Sequence, residues 1–399
     1  MLSMRCLLAA PSRALTLGLL SIALIVPGPA MADNAFDRDI LDDAEVDLPT
    51  LDFETEGEEA PYLLYGYQGS KLFFGTRDGK FSFIPTFNLQ NRHELSFDAN
   101  GISTNSFSMR RARAQFNGHF MDRNLKYEID MEMRTPNNTD NIAFRLQDFF
   151  LEYRFTNWLR VVAGQYKIPY SYQFIVSGAR LQFNERSIAD RVFSPGRDVG
   201  VMAFGRTDAQ DIHYSLGVFN GGGQNSFNDN QHLASLAHIR WTPLGRYPTE
   251  EPDLEGVETP RVLFTAQSYL DQDPSGQDTL LNLSAYGGFK WQGLAVHGQY
   301  FQRFNVEDRV QDNPLAVDAS GYYLQGGYFI LPKKLEFAVR NAQVFRTGLN
   351  LQEYNAALNY YVWGDNLKFQ LDYSLLYNQA AADDARWTHR VLSQVQMMF

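Results

Sequence analysis

The sequence predicts an all-β protein: a 16-stranded antiparallel transmembrane β-barrel with an inward-folded third external loop. Three observations predict it. The chain opens like an exported protein and afterwards lacks any apolar run long enough for a membrane-spanning helix. From residue 79 onward its apolar and polar residues alternate with a period of two. Its last nine residues, VLSQVQMMF, alternate in the same way and stop on an aromatic, Phe399, a residue type suited to anchor at a membrane–water boundary.

The front of the chain sets the compartment. Arg5 and Arg13 precede the apolar run ALTLGLLSIALIV (14–26), and Pro, Gly and the small-residue box AMA (30–32) follow. This is the layout of a secretory signal peptide over 1–32, cleaved after Ala32. The single cysteine, Cys6, lies in that leader, so the exported remainder has no disulfide to brace it. The formal net charge is −11. Residues 33–60 account for it, with acids from Asp33 to Glu59 opposed only by Arg38. Residues 33–78 therefore read as an acidic, disordered extension and lead-in, and 79–399 as the barrel.

Each barrel segment can be justified by its two faces. In FSFIPTFNLQNRHE (81–94), Phe81, Phe83, Phe87 and Leu89 oppose Ser82, Thr86, Asn88 and Gln90. In NLKYEIDMEMR (124–134), Leu125, Tyr127, Ile129, Met131 and Met133 oppose Lys126, Glu128, Asp130 and Glu132. In NLKFQLDYSL (366–375), Leu367, Phe369, Leu371 and Tyr373 oppose Lys368, Gln370 and Asp372. Sixteen such strands are expected, near 80–96, 105–119, 123–134, 143–155, 158–166, 198–206, 210–219, 232–241, 261–269, 281–290, 293–304, 321–330, 334–345, 351–362, 366–378 and 388–399. An even number returns both ends to one side, and closure removes the edges that so large a sheet must otherwise protect. With the C-terminus periplasmic, short turns inside and longer loops outside follow. Two connections fit poorly: the inside turn 242–260 is long and acidic, and the outside loop RTGLN (346–350) is short.

The third outside loop, residues 167–197, is the longest and is rich in apolar residues and arginine. A 16-stranded barrel is wide enough for an aqueous lumen. The loop's apolar side chains need a surface, and the inner wall offers one, so this loop is expected to form the constriction. Alternation places thirteen bases, from Arg92 to Arg390, and nine acids, from Glu94 to Asp372, on the inward face. Arg111 and Arg113 are among the bases, and Arg110 is not. Lys167, Arg180, Arg186, Arg191 and Arg197 add to the cationic excess from the loop. Charged groups at a narrow point select ions, and the planar guanidinium fork suits phosphate.

The stretches LRVVAGQYKIPYS (159–171), FNERS (183–187), SPGRDVGV (194–201), LNYYVWGDNLKFQLDYS (358–374) and SMRRARAQFNG (108–118) resemble the phosphate-selective porin O/P family of Gram-negative outer membranes. The resemblance runs over about 80–399. It implies a homotrimeric outer-membrane channel that lets anions such as phosphate or polyphosphate diffuse passively. It places Arg110, Arg111 and Arg113 in the family's second-strand basic run, and Lys167, Arg186 and Arg197 at the start, middle and end of the third loop. A general or sugar channel of the same fold is the alternative. The partners implied are outer-membrane lipid, small anions, two further copies of the chain, and the barrel-assembly machinery acting on the Phe399 strand.

No motif points to an enzyme, a cofactor or nucleic acid. There is no His-Glu-x-x-His, Gly-x-Ser-x-Gly or phosphate loop, and the seven histidines lack metal-ligand spacing. The Gly-rich NGGGQN (220–225) is expected to be an outside loop. The candidate site is therefore Arg111, Arg113, Lys167, Arg180, Arg186, Arg191 and Arg197, with Phe399 as a membrane anchor.

Overall fold

The computed structural model describes residues 63–68, 71–134, 143–207, 209–274, 276, 278–307 and 317–399. The expected leader (1–32) and acidic run (33–60) lie outside the described residues, as do 135–142 of the second outside loop and most of the sixth. Two short strands, β1 (Leu63–Gln68) and β2 (Lys71–Thr76), form a hairpin. Then come β3 (Phe81–Asp98), β4 (Gly101–Phe120), β5 (Asp122–Arg134), β6 (Ala143–Arg154), β7 (Arg160–Lys167) and β8 (Arg197–Arg206). They are followed by β9 (Ile212–Phe219), β10 (Ala234–Trp241), β11 (Arg261–Gln272), β12 (Thr279–Trp291) and β13 (Leu294–Glu307). The last five are β14 (Ala319–Leu331), β15 (Leu335–Arg346), β16 (Leu349–Trp363), β17 (Leu367–Asn378) and β18 (Trp387–Met398).

Each strand from β3 to β18 pairs antiparallel with its neighbours in the chain, and β18 pairs with β3 from His389↔Phe97 to Met398↔Asn88. The sheet is therefore a closed barrel of sixteen strands. Closure gives each of these strands a partner on both sides, which hydrocarbon demands because it offers backbone N–H and C=O groups nothing else. The terminal residue completes the seam. Phe87 N donates to Phe399 O (2.7 Å), Phe399 N donates to Phe87 O (3.0 Å), and their rings sit 5.5 Å apart.

The two rows of each strand meet different surroundings. On β17, Leu371 and Tyr373 are exposed while Lys368, Gln370, Asp372 and Ser374 are buried. On β14, Leu324 and Tyr328 are exposed and Gln325 is buried. An exposed apolar row with a buried polar row inverts a soluble sandwich and is what lipid outside a closed sheet requires. The turn between β12 and β13 is a two-residue link, Gln292–Gly293, with φ of 50° and 85°. Two successive positive φ values mark the tight hairpin turn that matches strand twist.

Two differences from the sequence reading have physical causes. β4 starts at Gly101, not near 105, so the first outside connection shrinks to Ala99–Asn100. Apart from Ile102 the residues there are small or polar on both faces, which is expected above the hydrocarbon belt, where both faces meet water and the period of two disappears. The β1–β2 hairpin was not foreseen. β2 pairs with β3 at Phe74↔Phe83 and Gly75↔Ser82, using the stretch of β3 that extends past the end of β18.

Deleting Phe399 removes two seam hydrogen bonds, worth about 1 kcal/mol each, and an aromatic pair worth about 0.5–1.5 kcal/mol. The truncated chain should lose its compact, heat-modifiable gel mobility at a lower temperature than the full chain, with Phe399→Ala intermediate. Identical transition temperatures would deny the residue its part in closure.

Candidate functional site

Residues 168–196 connect β7 to β8. Their ends are tied, with Ile168 N donating to Gly196 O at 2.9 Å. Two short helices form within, α1 (Tyr172–Ile175) and α2 (Ile188–Phe193). Ser187 caps α2 by accepting from Asp190 N, 3.1 Å. Ile168, Tyr170, Tyr172, Val176, Leu181, Ile188 and Phe193 join one apolar cluster with inward residues of the wall, among them Val162, Met202, Leu236, Leu263, Tyr286, Phe301 and Tyr323. Phe193 stacks on Phe301 with centroids 5.3 Å apart. Gly321 allows this approach, because a Cβ there would fall 2.6 Å from the Phe193 ring and 2.9 Å from Gln343 O.

Polar ties fix the rest of the segment to the wall. Gln173 Nε2 donates to Gln325 Oε1 (2.8 Å), Gln182 Nε2 to Glu336 Oε1 (2.6 Å), Asn184 N to Asp372 Oδ2 (2.6 Å) and Ile188 N to Glu353 Oε2 (2.9 Å). From the wall, Gln396 Nε2 donates to Ala179 O (3.0 Å) and Gln90 Nε2 to Gly178 O (3.3 Å). These contacts reach β14, β15, β16, β17, β18 and β3. Arg340 and Glu353 form a fully buried pair, Nη2 to Oε1 at 2.5 Å, and Arg340 also donates to Glu185 O at 3.0 Å.

The predicted bases fall into two groups. Five converge between the segment and strands β3 to β8. Arg111 donates to Gln90 Oε1 (2.6 Å) and lies under Gly178. Arg113 donates to Glu132 Oε2 (2.5 Å) and lies 3.7 Å from Asp130. Lys167 donates to Ile175 O (2.6 Å). Arg186 donates to the carbonyls of Gln173 (2.6 Å) and Val176 (2.8 Å), and Arg197 holds Asp148 through two hydrogen bonds of 2.9 and 2.8 Å. The Phe174 ring lies beneath both Arg186 (5.0 Å) and Arg197 (5.7 Å). Arg180 is buried, its carbonyl accepting from Glu251 N, and Arg191 is half-exposed on α2, 3.8 Å from Glu353. Phe399 sits at the seam, half-exposed.

Sequence reasoning missed Arg92, Arg110 and Glu185 as a unit. Strict alternation turns Arg110 away from the interior. A register shift between Gln90 and Asn91 pairs Gln90 with Arg111 and Asn91 with Met109, so Arg110 is the extra residue of a bulge. Its Nε and Nη2 donate to Glu185 at 2.6 and 3.1 Å, and Arg92 bonds the same carboxylate. The three bases at 110, 111 and 113 were the available signal. Arg197 pairs with Asp148 rather than with Asp198, which accepts from Val199 N and Gly221 N. Burial pushes the Glu185 carboxyl up, but Arg110, Arg92 and Arg111 outweigh it and hold it well below the usual carboxylate range. The cluster thus sets seven bases (Arg92, Arg110, Arg111, Arg113, Lys167, Arg186, Arg197) against six acids (Glu94, Asp130, Glu132, Asp148, Glu185, Asp190). No group of three metal-ligating side chains is found among the described residues.

Comparison with known proteins agrees with this architecture. No curated protein shows a significant sequence match. Several solved structures share the fold. The outer membrane channel DcaP of Acinetobacter baumannii is 11% identical, with a TM-score of 0.57 over 82% of this chain and 99% of that one. The anion-selective porin from Comamonas acidovorans is 11% identical, with a TM-score of 0.56 over 80% and 100%. The trimer form of OmpT, an outer membrane protein of Vibrio cholerae, is 12% identical, with a TM-score of 0.50 over 79% and 99%. The sequence profile of the phosphate-selective porin O and P family matches residues 86–399, the whole barrel apart from the first strokes of β3. With that match laid on a closed sixteen-stranded wall, the chain belongs to the phosphate-selective porin O and P family and is an outer-membrane porin.

Proposed function

We propose that residues 168–196 lie across the channel as its constriction, and that the basic cluster beside them makes passage favour anions, phosphate among them. The observation that carries this is the excess of seven bases over six acids where the segment faces β3 to β8, with arginines supplying most of the positive charge. Arginine donates two parallel hydrogen bonds to an oxyanion, and charge at a narrow, poorly screened site raises the local concentration of the opposite ion. The wall acids temper this preference. Asp130, Glu132 and Asp148 compensate Arg113 and Arg197, so the preference rests on the surplus rather than on bare arginines. We further propose a homotrimer, by likeness to the trimeric neighbour and the family. The leader over 1–32 is removed on export, and the strand ending at Phe399 is the one the barrel-assembly machinery engages.

Planar-bilayer recording under a salt gradient tests the reading. The wild-type chain should give a reversal potential of anion-selective sign, and millimolar phosphate should reduce its chloride current. A cation-selective sign overturns the anion claim, and current indifferent to phosphate favours a general or sugar channel. Two substitutions should move selectivity in opposite directions. Glu185→Gln releases Arg92 and Arg110 from their shared carboxylate and should strengthen anion preference. Arg113→Gln leaves Asp130 and Glu132 unopposed and should weaken it. Reversal potentials unmoved by both would reduce these groups to wall braces. Gly321→Val should drive Phe193 off the wall and change single-channel conductance, whereas unchanged conductance would deny the segment its constricting role.

A further inference from the structure

Residues 242–260 join β10 to β11 at the rim that carries the C-terminus. A long acidic connection of this kind ordinarily lies in solvent. Here Tyr247, Thr249, Glu250, Glu251 and Asp253 are buried, Glu251 and Asp253 to 1% exposure. Buried carboxylates persist only where hydrogen bonds replace water, and both have them. Glu251 accepts from Gln173 Nε2 through Oε1 and from Gln182 N through Oε2, each at 2.9 Å. Its own N–H donates to Arg180 O at 3.1 Å, and its carbonyl accepts from His297 Nε2 at 2.6 Å. Asp253 accepts from Gly293 N at 2.7 Å.

The backbone of this stretch is held equally well. Lys290 donates to Pro248 O (2.9 Å) and Glu250 O, Tyr172 Oη to Thr249 O (3.1 Å), Gln292 N to Val257 O (2.9 Å) and Trp291 Nε1 to Glu258 O (3.2 Å). The segment therefore runs along the inner face of β12 and β13 and meets residues 172–182 of the other segment, which starts from the opposite rim. On the β4 side the pattern differs. Arg113 and Gln115 are only half-buried, and their hydrogen bonds go to wall neighbours, Glu132 (2.5 Å) and Glu128 (2.8 Å).

We propose that residues 246–257 are a second constricting element, which seals the β11–β14 side of the barrel from the C-terminal rim and confines permeation to the β3–β6 side. Glu251 is its positioning residue, tying it to the segment 168–196. The inference rests on the channel reading and adds where the solute passes.

Two measurements test it in the full-length chain reconstituted in planar bilayers. Replacing residues 244–258 by an Asn-Gly turn should raise single-channel conductance by about twofold or more, since a narrow segment dominates the resistance of a pore. Glu251→Ala should raise conductance and add open-channel noise, with Glu251→Gln closer to wild type because its amide oxygen still accepts one bond. Cysteine accessibility is independent of these variants. A water-soluble thiol reagent should reduce current through Gln115→Cys quickly and leave His297→Cys unaffected; in the chain with the shortened connection, His297→Cys should become reactive. Fast block at His297→Cys in the otherwise intact chain, or unaltered conductance on shortening, overturns the proposal while leaving the channel itself standing. A wild-type chain that folds but conducts nothing would instead sink the channel reading beneath it.

Discussion

Hydrocarbon offers no partner to a backbone N–H or C=O group, and the rest of this molecule follows from that constraint. A sheet immersed in lipid can have no open edge, so the chain must return on itself, and β18 meets β3 over ten registered positions. Sixteen strands make the ring wide, and a wide ring encloses space that must be filled with either protein or water. The outer row is then committed to apolar residues, and every choice of charge, hydrogen bonding and packing is displaced to the inner row.

Three kinds of contact tie residues 168–196 to the wall. Against β7 and β8 and β11 to β14 the wall presents Val162, Met202, Leu263, Tyr286, Phe301 and Tyr323, and these close on apolar residues of 168–196 as a soluble core would. Burying each large side chain in such a core contributes roughly 1.5–3 kcal/mol. From β14 round to β18 and β3 the ties are hydrogen bonds to Gln325, Glu336, Asp372, Gln396 and Gln90. Beside β4 to β6 the side chains are acids and bases that pair mostly with one another. The same polypeptide segment is thus glued on one side, laced on a second and faced with charge on a third.

The wall was legible in the sequence because lipid enforces a strict alternation, and all sixteen strands lie where the two-residue period puts them. Legibility fails where lipid does not reach. The stretch that opens β4 at Gly101 carries no clear period, and the short hairpin before residue 77 sits next to the acidic run that reads as a lead-in. Arg110 was misassigned because a single bulged residue reverses the parity of everything beyond it. The basic residues at 111, 113, 167, 186 and 197 lie near one another in the fold, but their partners were not legible. Arg186 caps carbonyls within its own segment, and Arg197 reaches across to Asp148. Such pairings depend on the depth of a fold that spacing along one strand does not encode. The acidic connection 242–260 stood out by its length, yet nothing in its composition revealed that Glu251 and Asp253 would be buried.

The enclosed pair of Arg340 and Glu353 has a consequence for how this barrel can change over generations. Each partner is 1% exposed, and each also serves the segment above it, through Glu185 O and Ile188 N. Losing Glu353 strands the buried Arg340 charge, at about 3–5 kcal/mol, and losing Arg340 leaves Glu353 only Ile188 N and the half-exposed Arg191, whereas exchanging both for well-packed apolar residues can be close to neutral. Stepwise drift at either position therefore crosses a deep valley. Descendants of this sequence should keep the two together or shed them together, so that positions 340 and 353 behave in inheritance as one site.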